Sequence, residues 1–463
     1  MRKYFGTDGI RRIANTELSP ELVYKVAKAG AYVLSKHTDH APTILIGRDT
    51  RISGTLIESA MVAGFLSYGA NVKLLGVIPT PAVAYLTRKL NADAGVVISA
   101  SHNTYEFNGI KYFSNKGTKI PDSLEEEIEE VMESGKLDEL TAVNDKIGVS
   151  EYRLDLIDEY VYFFRKNFDD NIEKYNKKDF VVGIDTANGA TYSVAEKVFK
   201  ALGINYKIIN NKPNGVNINE NCGSTHLEGL KKFVLDNNLS LGIAYDGDGD
   251  RCLAIDEKGN EIDGDKLLAI ISANLRKKGK LNKDTIVATV MSNLGLNKYA
   301  RDNGLELLQT KVGDRYVLEE MLKDGFNLGG EQSGHIILLD YNPTGDGILT
   351  SLMLIQSILE EDKKASELNE IVKLYPQVLI NAKVNADKKY DYDKNEEIKQ
   401  AIEKLEKEFA GNGRVLIRPS GTEPLVRVMI EGEEQEYITK KAKEIADLIE
   451  KNLNLCNENE IKL

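Results

Sequence analysis

The sequence predicts an α/β protein: three similar α/β domains with mainly parallel, mixed sheets, followed by an α+β domain at the carboxyl end. Two observations carry this. Thr43 to Asp49, Phe180 to Thr186 and Thr285 to Met291 each run as an apolar strand into a polar turn and then a helical pattern. Such alternation implies parallel strands covered by helices. Beyond about Ala365 the pattern changes to strands at Gln377 to Val384, Arg414 to Ile417 and Val426 to Glu431, then a long helix from Glu434 to Lys451. A chain of 463 residues has room for about three or four such units.

Taken in order, the first domain is expected over residues 1–150. Its first turn is Ser53-Gly54, a buried strand follows at Gly95 to Ile98, and the polar stretch Leu137 to Asn144 closes it. The second, 151–256, opens on a helix from Leu154 to Phe168, turns at Asn188-Gly189, and ends just past an alternating strand, Leu239 to Tyr245. The third, 257–368, begins near Gly259-Asn260 and turns at Asn293-Leu294-Gly295. The fourth spans 369–463.

Composition narrows the function. With 42% hydrophobic and 29% charged residues the chain is ordinary globular protein. Its net charge is −12, and basic clusters such as Arg276-Lys277-Lys278 lack interleaved aromatics, which argues against nucleic acid. An anionic substrate must therefore meet local Arg and Lys. Met1 leads into a polar segment, no run of about 18 apolar residues occurs, and three scattered cysteines show no metal spacing, so a cytoplasmic location without membrane contact is expected.

The densest chemical signal is Tyr245-Asp246-Gly247-Asp248-Gly249-Asp250-Arg251. In an extended strand residues i and i+2 share a face at roughly 6.5 Å, so Asp246 and Asp250 would stand too far apart for one ion that Asp248 also meets. The intervening glycines tolerate φ > 0, so the loop can curl until three oxygens converge on a hard divalent cation. A calcium-binding helix-loop-helix would place Asp246 at position 1 and Glu257 at position 12. It fails at Arg251, where that loop needs Gly, and in its entry from a strand.

Three further loops follow apolar strands. Ser99-Ala100-Ser101-His102-Asn103 places Ser101 beyond the carboxyl end of a strand, where active residues of parallel sheets gather, although Ser and Asn also cap turns. Gly329-Gly330-Glu331-Gln332-Ser333-Gly334-His335 offers acceptors and donors suited to sugar hydroxyls or an amine, or else a plain hairpin turn. Arg418-Pro419-Ser420-Gly421-Thr422-Glu423-Pro424, with Arg427 beyond, combines backbone donors, hydroxyls and guanidinium groups as a phosphate site does. Phe5-Gly6-Thr7-Asp8-Gly9-Ile10-Arg11 adds a glycine-rich turn with an arginine.

Together with Gly47-Arg48-Asp49-Thr50-Arg51 and Asn221-Cys222-Gly223-Ser224-Thr225-His226, these loops resemble the α-D-phosphohexomutase superfamily over essentially the whole chain, with wording nearest its amino-sugar branch. The resemblance implies four domains around a central cleft and one Mg²⁺ per subunit. Ser101 would carry a phosphoryl group and, once phosphorylated, share the metal with Asp246, Asp248 and Asp250. Arg11 and Arg251 would meet that group, and Lys111 and His335 are the implied acid/base candidates. Glu331 and Ser333 would bind the sugar, and Arg418, Ser420, Gly421, Thr422 and Arg427 the non-reacting phosphate.

The implied reaction interconverts glucosamine 6-phosphate and glucosamine 1-phosphate through glucosamine 1,6-bisphosphate, supplying UDP-N-acetylglucosamine synthesis. That bisphosphate or glucose 1,6-bisphosphate would be the activator. The implied partner is a small hexosamine phosphate, and a homodimer is open to it. Gln332 favours an amino sugar over the mannose and glucose phosphates of the nearest relatives; a sugar-phosphate binder without turnover and a phosphatase are the other readings. Thr104 stands where relatives carry proline and Arg12 where they carry glycine, so a looser serine loop and an altered setting of Arg11 are expected.

Overall fold

The computed structural model describes residues 3–6, 8–168, 178–420 and 423–454. The chain divides into two compact units, residues 1–291 with 303–371, and residues 292–302 with 372–463.

The larger unit contains three sheets. The first is formed by β1 (Ile10–Ile13), β2 (Thr43–Arg48), β3 (Asn71–Val77), β4 (Ala94–Ile98), β5 (Phe107–Ser114) and β6 (Ser150–Tyr152), in the order β1-β5-β4-β2-β3-β6. Helices α1 (Pro20–Ser35), α2 (Gly54–Tyr68), α3 (Thr80–Lys89) and α4 (Asp122–Glu133) accompany it. Local chemistry starts α1: Ser19 accepts from the Leu22 N–H and Pro20 occupies the first turn, where a missing N–H costs nothing. The apolar residues Val23, Val26 and Ala27 of α1 are buried in one core with Ile44, Ile46, Val96 and Ile98.

After α5 (Ile157–Phe168) comes the second sheet, of β7 (Val181–Asp185), β8 (Asn205–Ile209), β9 (Leu241–Tyr245), β10 (Cys252–Asp256) and β11 (Glu261–Ile262), ordered β11-β10-β9-β7-β8. Its helices are α6 (Val194–Ala201) and α7 (Glu228–Asp236). The sheet runs past residue 256. Gly259-Asn260 forms a hairpin turn, in which Asp256 accepts from the N–H groups of Lys258 and Asn260 and the chain returns antiparallel to β10.

The third sheet, after α8 (Gly264–Lys277), holds β12 (Thr285–Thr289), β13 (Glu306–Thr310), β14 (Leu328–Gly330) and β15 (Ile336–Leu338), ordered β13-β12-β14-β15. Helix α9 (Leu294–Asp302), between β12 and β13, belongs to the smaller unit; α10 (Asp314–Asp324) and α11 (Gly347–Glu361) stay with the larger.

The three sheets repeat one plan. In β3-β2-β4-β5, β8-β7-β9-β10 and β13-β12-β14-β15, a central strand has parallel neighbours on both sides, and an antiparallel strand joins the third. The strands β4, β9 and β12 are buried throughout, which is why they read as unbroken apolar runs. The turns that follow the third parallel strand of each repeat carry Ser101, the Asp246 to Arg251 loop, and the Glu331 to His335 loop.

In the smaller unit, β16 (Gln377–Lys383), β17 (Gly413–Pro419) and β18 (Leu425–Gly432) form an antiparallel sheet ordered β16-β18-β17, with α12 (Glu396–Phe409) and α13 (Gln435–Asn454). Alternate residues Val426, Val428 and Ile430 of β18 share a core with Ile398, Leu405, Ile438 and Ile449.

Candidate active site

Ser101 lies just past β4 with a left-handed backbone, φ 50°, and its Oγ donates to Asp246 Oδ2 over 2.7 Å. An L-residue adopts that conformation only when its surroundings hold it. The Arg51 guanidinium is fully buried and donates to the carbonyl oxygens of Ser101 and Asn103 at 2.9 Å each, of Phe107 at 3.0 Å, and of Thr104. Its Nε pairs with Asp49 Oδ2 at 2.7 Å, and that oxygen also accepts from Ser99 Oγ. Asn219 donates to the Ser101 and Asn103 carbonyls from the other side. Thr104 thus lacks proline's fixed φ, but its carbonyl is tied to Arg51.

Between β9 and β10 the aspartate loop curls as its glycines allow, by two different means. Gly249 has φ 71°. Gly247 instead makes room, since a Cβ there would lie 2.5 Å from the Ser101 carbonyl oxygen. The carboxylates of Asp246, Asp248 and Asp250 are buried and bring oxygens within 4.8 Å of one another. Asp248 Oδ1 and Asp250 Oδ1 are buried without a hydrogen-bond partner. An all-oxygen, strongly anionic set with unsatisfied lone pairs fits a hard divalent cation. Burial, then the charges of Asp250 and Asp248, push Asp246 well above the usual carboxylate range.

Lys111, on β5, answers part of this charge. Its Nζ lies 2.8 Å from Asp8, 3.2 Å from Asp248 and 3.6 Å from Asp250. Burial opposes its charge, but Asp248, Asp8 and Asp250 outweigh burial and hold it well above the ordinary lysine range. Thr80 donates to Asp248 through both N–H and Oγ1. Arg11 Nη1 donates to Asn103 Oδ1 at 2.9 Å and Nη2 to Asp8 at 3.2 Å. Arg12 sits in regular antiparallel register opposite Asn108, so the side chain that replaces a glycine leaves Arg11 facing the site.

The turn from β14 to β15 is indeed a hairpin, and it is also a wall of the site. Gly334, at φ 89°, lets its N–H reach the Glu331 carbonyl, and its own carbonyl accepts from the Cys252 N–H next to Arg251. Glu331 Oε1 accepts from the Gly313 N–H at 3.2 Å. Burial works against charge on His335, yet Asp250, Asp314 and Glu331 push it up to about 9. The Gly345 N–H nevertheless donates to His335 Nε2 at 3.0 Å. Nδ1 lies 3.6 Å from Asp250 Oδ2. A cavity of about 790 Å³ is lined by Arg11, Ser101, Asp250, Arg251, Glu331, Gln332, Ser333 and His335, among others.

In the smaller unit Arg418 and Arg427 face each other across β17 and β18. Burial and then the charge of Arg427 lower the Arg418 pKa, and Arg427 Nε is buried without a partner. A bound anion relieves both costs. Ser420 is buried, its Oγ accepting from the Glu423 N–H. Gly421 and Thr422 lie outside the described residues, as does Thr7.

Known proteins match this arrangement. The phosphoglucomutase/phosphomannomutase family descriptions match in order: alpha/beta/alpha domain I over residues 2–139, domain II over 158–259, domain III over 263–375, and the C-terminal domain over 379–448. Phosphoglucosamine mutase of Ruminiclostridium cellulolyticum is 52% identical over 98% of this chain and 100% of its own. That of Clostridium botulinum strain Kyoto is 54% identical over 97% and 99%. The chain belongs to the phosphoglucosamine mutase family. Two solved structures share the fold: a putative phosphomannomutase from Thermus thermophilus (TM-score 0.78, 22% identity, 96% of this chain and 98% of that one) and N-acetylphosphoglucosamine mutase from Aspergillus fumigatus (0.66, 16%, 98% and 96%).

In this phosphoglucosamine mutase family member motifs of the larger unit line one cavity, but their supports escaped the sequence reading. Arg51 and Asp49 stood in a quoted motif without a role. Asp8 likewise stood in a quoted motif without a role, and Asn219 and Thr80 carried no local signal, because each works through a partner more than 90 residues away. The one available hint was a charged pair, Asp49 and Arg51, at the end of a buried strand, where charge survives only when paired.

Proposed function

We propose that this protein interconverts glucosamine 6-phosphate and glucosamine 1-phosphate. The observation that carries the reading is Ser101 Oγ, held in a strained turn against a buried aspartate triad, at a cavity whose opposite wall is Glu331, Gln332 and Ser333. In the first half-reaction the bond from phosphorus to Ser101 Oγ breaks and a bond to the free sugar hydroxyl forms. The hydroxyl proton ends on Ser101 Oγ. The bisphosphate then turns end for end, and its other phosphoryl group returns to Ser101.

Each residue has a definite task. Arg251 and Arg11 neutralise the transferring group, and Lys111, 3.2 Å from Asp248 and 3.6 Å from Asp250, offsets the charge of the triad. When bound by Asp246, Asp248 and Asp250, Mg²⁺ supplies positive charge to the phosphoryl oxygens. His335, with Nδ1 3.6 Å from Asp250 Oδ2, offsets the charge of that carboxylate. Glu331 and Ser333 hold the sugar, and Arg418, Ser420, Gly421, Thr422 and Arg427 bind the phosphate that does not react. Holding a substrate by one end makes the transfer effectively intramolecular. A hexose 1,6-bisphosphate primes Ser101.

Two measurements test this. Turnover is compared on glucosamine, mannose and glucose phosphates with a glucose 1,6-bisphosphate primer, and the highest kcat/KM is expected for glucosamine; preference for glucose 1-phosphate overturns the substrate. Intact-mass spectrometry is expected to show one phosphoryl group on the primed wild type and none on Ser101→Ala.

A further inference from the structure

The loop that faces the sugar is joined to the start of helix α8 by two hydrogen bonds. The Gly264 N–H donates to the Gln332 carbonyl at 3.0 Å, and Gln332 Nε2 donates to Asp263 Oδ2 at 3.4 Å. The approach is so close that a Cβ on Gly264 would lie 2.0 Å from the Glu331 carbonyl oxygen, so only glycine fits there. Asp263 also serves as the helix N-cap, its Oδ1 accepting from the Lys266 N–H at 3.0 Å.

This double use of one carboxylate removes an ambiguity. An amide can turn over and exchange its oxygen for its nitrogen at little cost when its neighbours are indifferent. Asp263 is not indifferent: its Oδ1 is taken by the Lys266 N–H at the cap, and its Oδ2 accepts from the NH₂ end of Gln332. We propose that Asp263 is a positioning residue for specificity, orienting the Gln332 amide so that its oxygen is offered to the ammonium group of an amino-sugar phosphate.

Glu331 strengthens the same preference. One of its oxygens is held by the Gly313 N–H, so the wall of Glu331 and Gln332 presents acceptors. An ammonium group has three donors and no acceptor, whereas a hydroxyl at the same carbon is satisfied by a donor or an acceptor. A wall of acceptors therefore gains more from the amine. The inference rests on the amino-sugar reading above and adds to it the residue that sets the polarity of Gln332.

Asp263→Asn separates orientation from folding. Asparagine is as good an N-cap as aspartate. With its oxygen kept at the cap, its NH₂ group faces Gln332, and two NH₂ groups cannot share a hydrogen bond. The Gln332 amide must turn over, and its NH₂ then meets the substrate's ammonium. The readout is the ratio of kcat/KM for glucosamine 6-phosphate to that for glucose 1-phosphate in otherwise intact enzyme, expected to fall about tenfold or more. Gln332→Met is expected to lower the ratio too, and adding Asp263→Asn to it to change nothing further.

Should Asp263→Asn not fold, Asp263→Ser is measured in its place; it keeps a capping oxygen and frees the amide to turn. An unchanged ratio in the folded variant, or full additivity with Gln332→Met, overturns the inference. A wild type without turnover of glucosamine phosphate instead overturns the substrate reading on which it rests, and the two failures are distinct.

Discussion

The guanidinium of Arg51 donates to the carbonyl oxygen of Ser101 at 2.9 Å while its Nε pairs with Asp49. One buried planar fork thus holds the backbone of the proposed nucleophile loop, and no other side chain has that shape. Arg51→Lys keeps a positive charge beside Asp49 but cannot reach four carbonyls at once. It is expected to lower kcat at least about tenfold with a smaller change in KM, because only the alignment of Ser101 suffers. Arg51→Met leaves Asp49 buried and unpaired and is expected to cost about 3–5 kcal/mol of stability. Steady-state kinetics and thermal melts check both.

Ser101 has φ 50°, a region that costs an L-residue about 1–2 kcal/mol and glycine almost nothing. Ser101→Ala and Ser101→Gly both remove the nucleophile and are expected to be inactive. They should differ in stability, with the glycine variant the more stable by about 1 kcal/mol. Denaturant melts of the two inactive proteins decide whether the serine turn stores strain.

The aspartate triad is repulsive without a cation, and two of its oxygens are buried without partners. Mg²⁺ is therefore expected to raise the melting temperature of the wild type, in proportion to about 2.7 kcal/mol at a hundred times its Kd. Asp246→Asn should abolish that rise. EDTA should remove turnover of the wild type, with recovery when Mg²⁺ is returned.

Much of this site was legible in one dimension because each loop occupies the same place in a repeated unit. Ser101, Asp246 to Arg251 and Glu331 to His335 each follow the third parallel strand of a repeat, and glycine-rich polar turns after apolar runs announce such loops. The reason for each glycine was less legible: Gly249 needs its positive φ, whereas Gly247 needs only its missing Cβ. Least legible were groups that act at a distance. Lys111 meets Asp8 and Asp248, and Asn219 meets Ser101, through contacts distant in the chain that no local pattern encodes.

Arg418 and Arg427 stand opposite each other on β17 and β18, and their mutual repulsion is relieved by an anion. Arg427→Gln is expected to raise KM for the sugar phosphate about tenfold to a hundredfold, with less effect on kcat. If the pair only braces the sheet, KM stays put and the melting temperature falls instead.

Asp346 gives stability a pH dependence of its own. It caps α11 by accepting from the Leu349 N–H, and accepts from Tyr160 Oη and Asn342 Nδ2, yet burial outweighs these bonds and lifts its pKa from 3.8 to about 6. A carboxyl with a raised folded-state pKa binds its proton more tightly when folded. Its contribution is fully present below about 3.8 and is lost as the pH rises through about 6. Neighbouring Tyr160, Tyr245 and Cys252 are all raised above their ordinary values and stay neutral across this window. Asp346→Asn keeps a capping oxygen but cannot titrate. The stability of the wild type minus that of Asp346→Asn is therefore expected to fall by up to about 3 kcal/mol between pH 4 and pH 7. Paired thermal melts across that range check it; parallel curves for the two proteins would show that Asp346 does not titrate there.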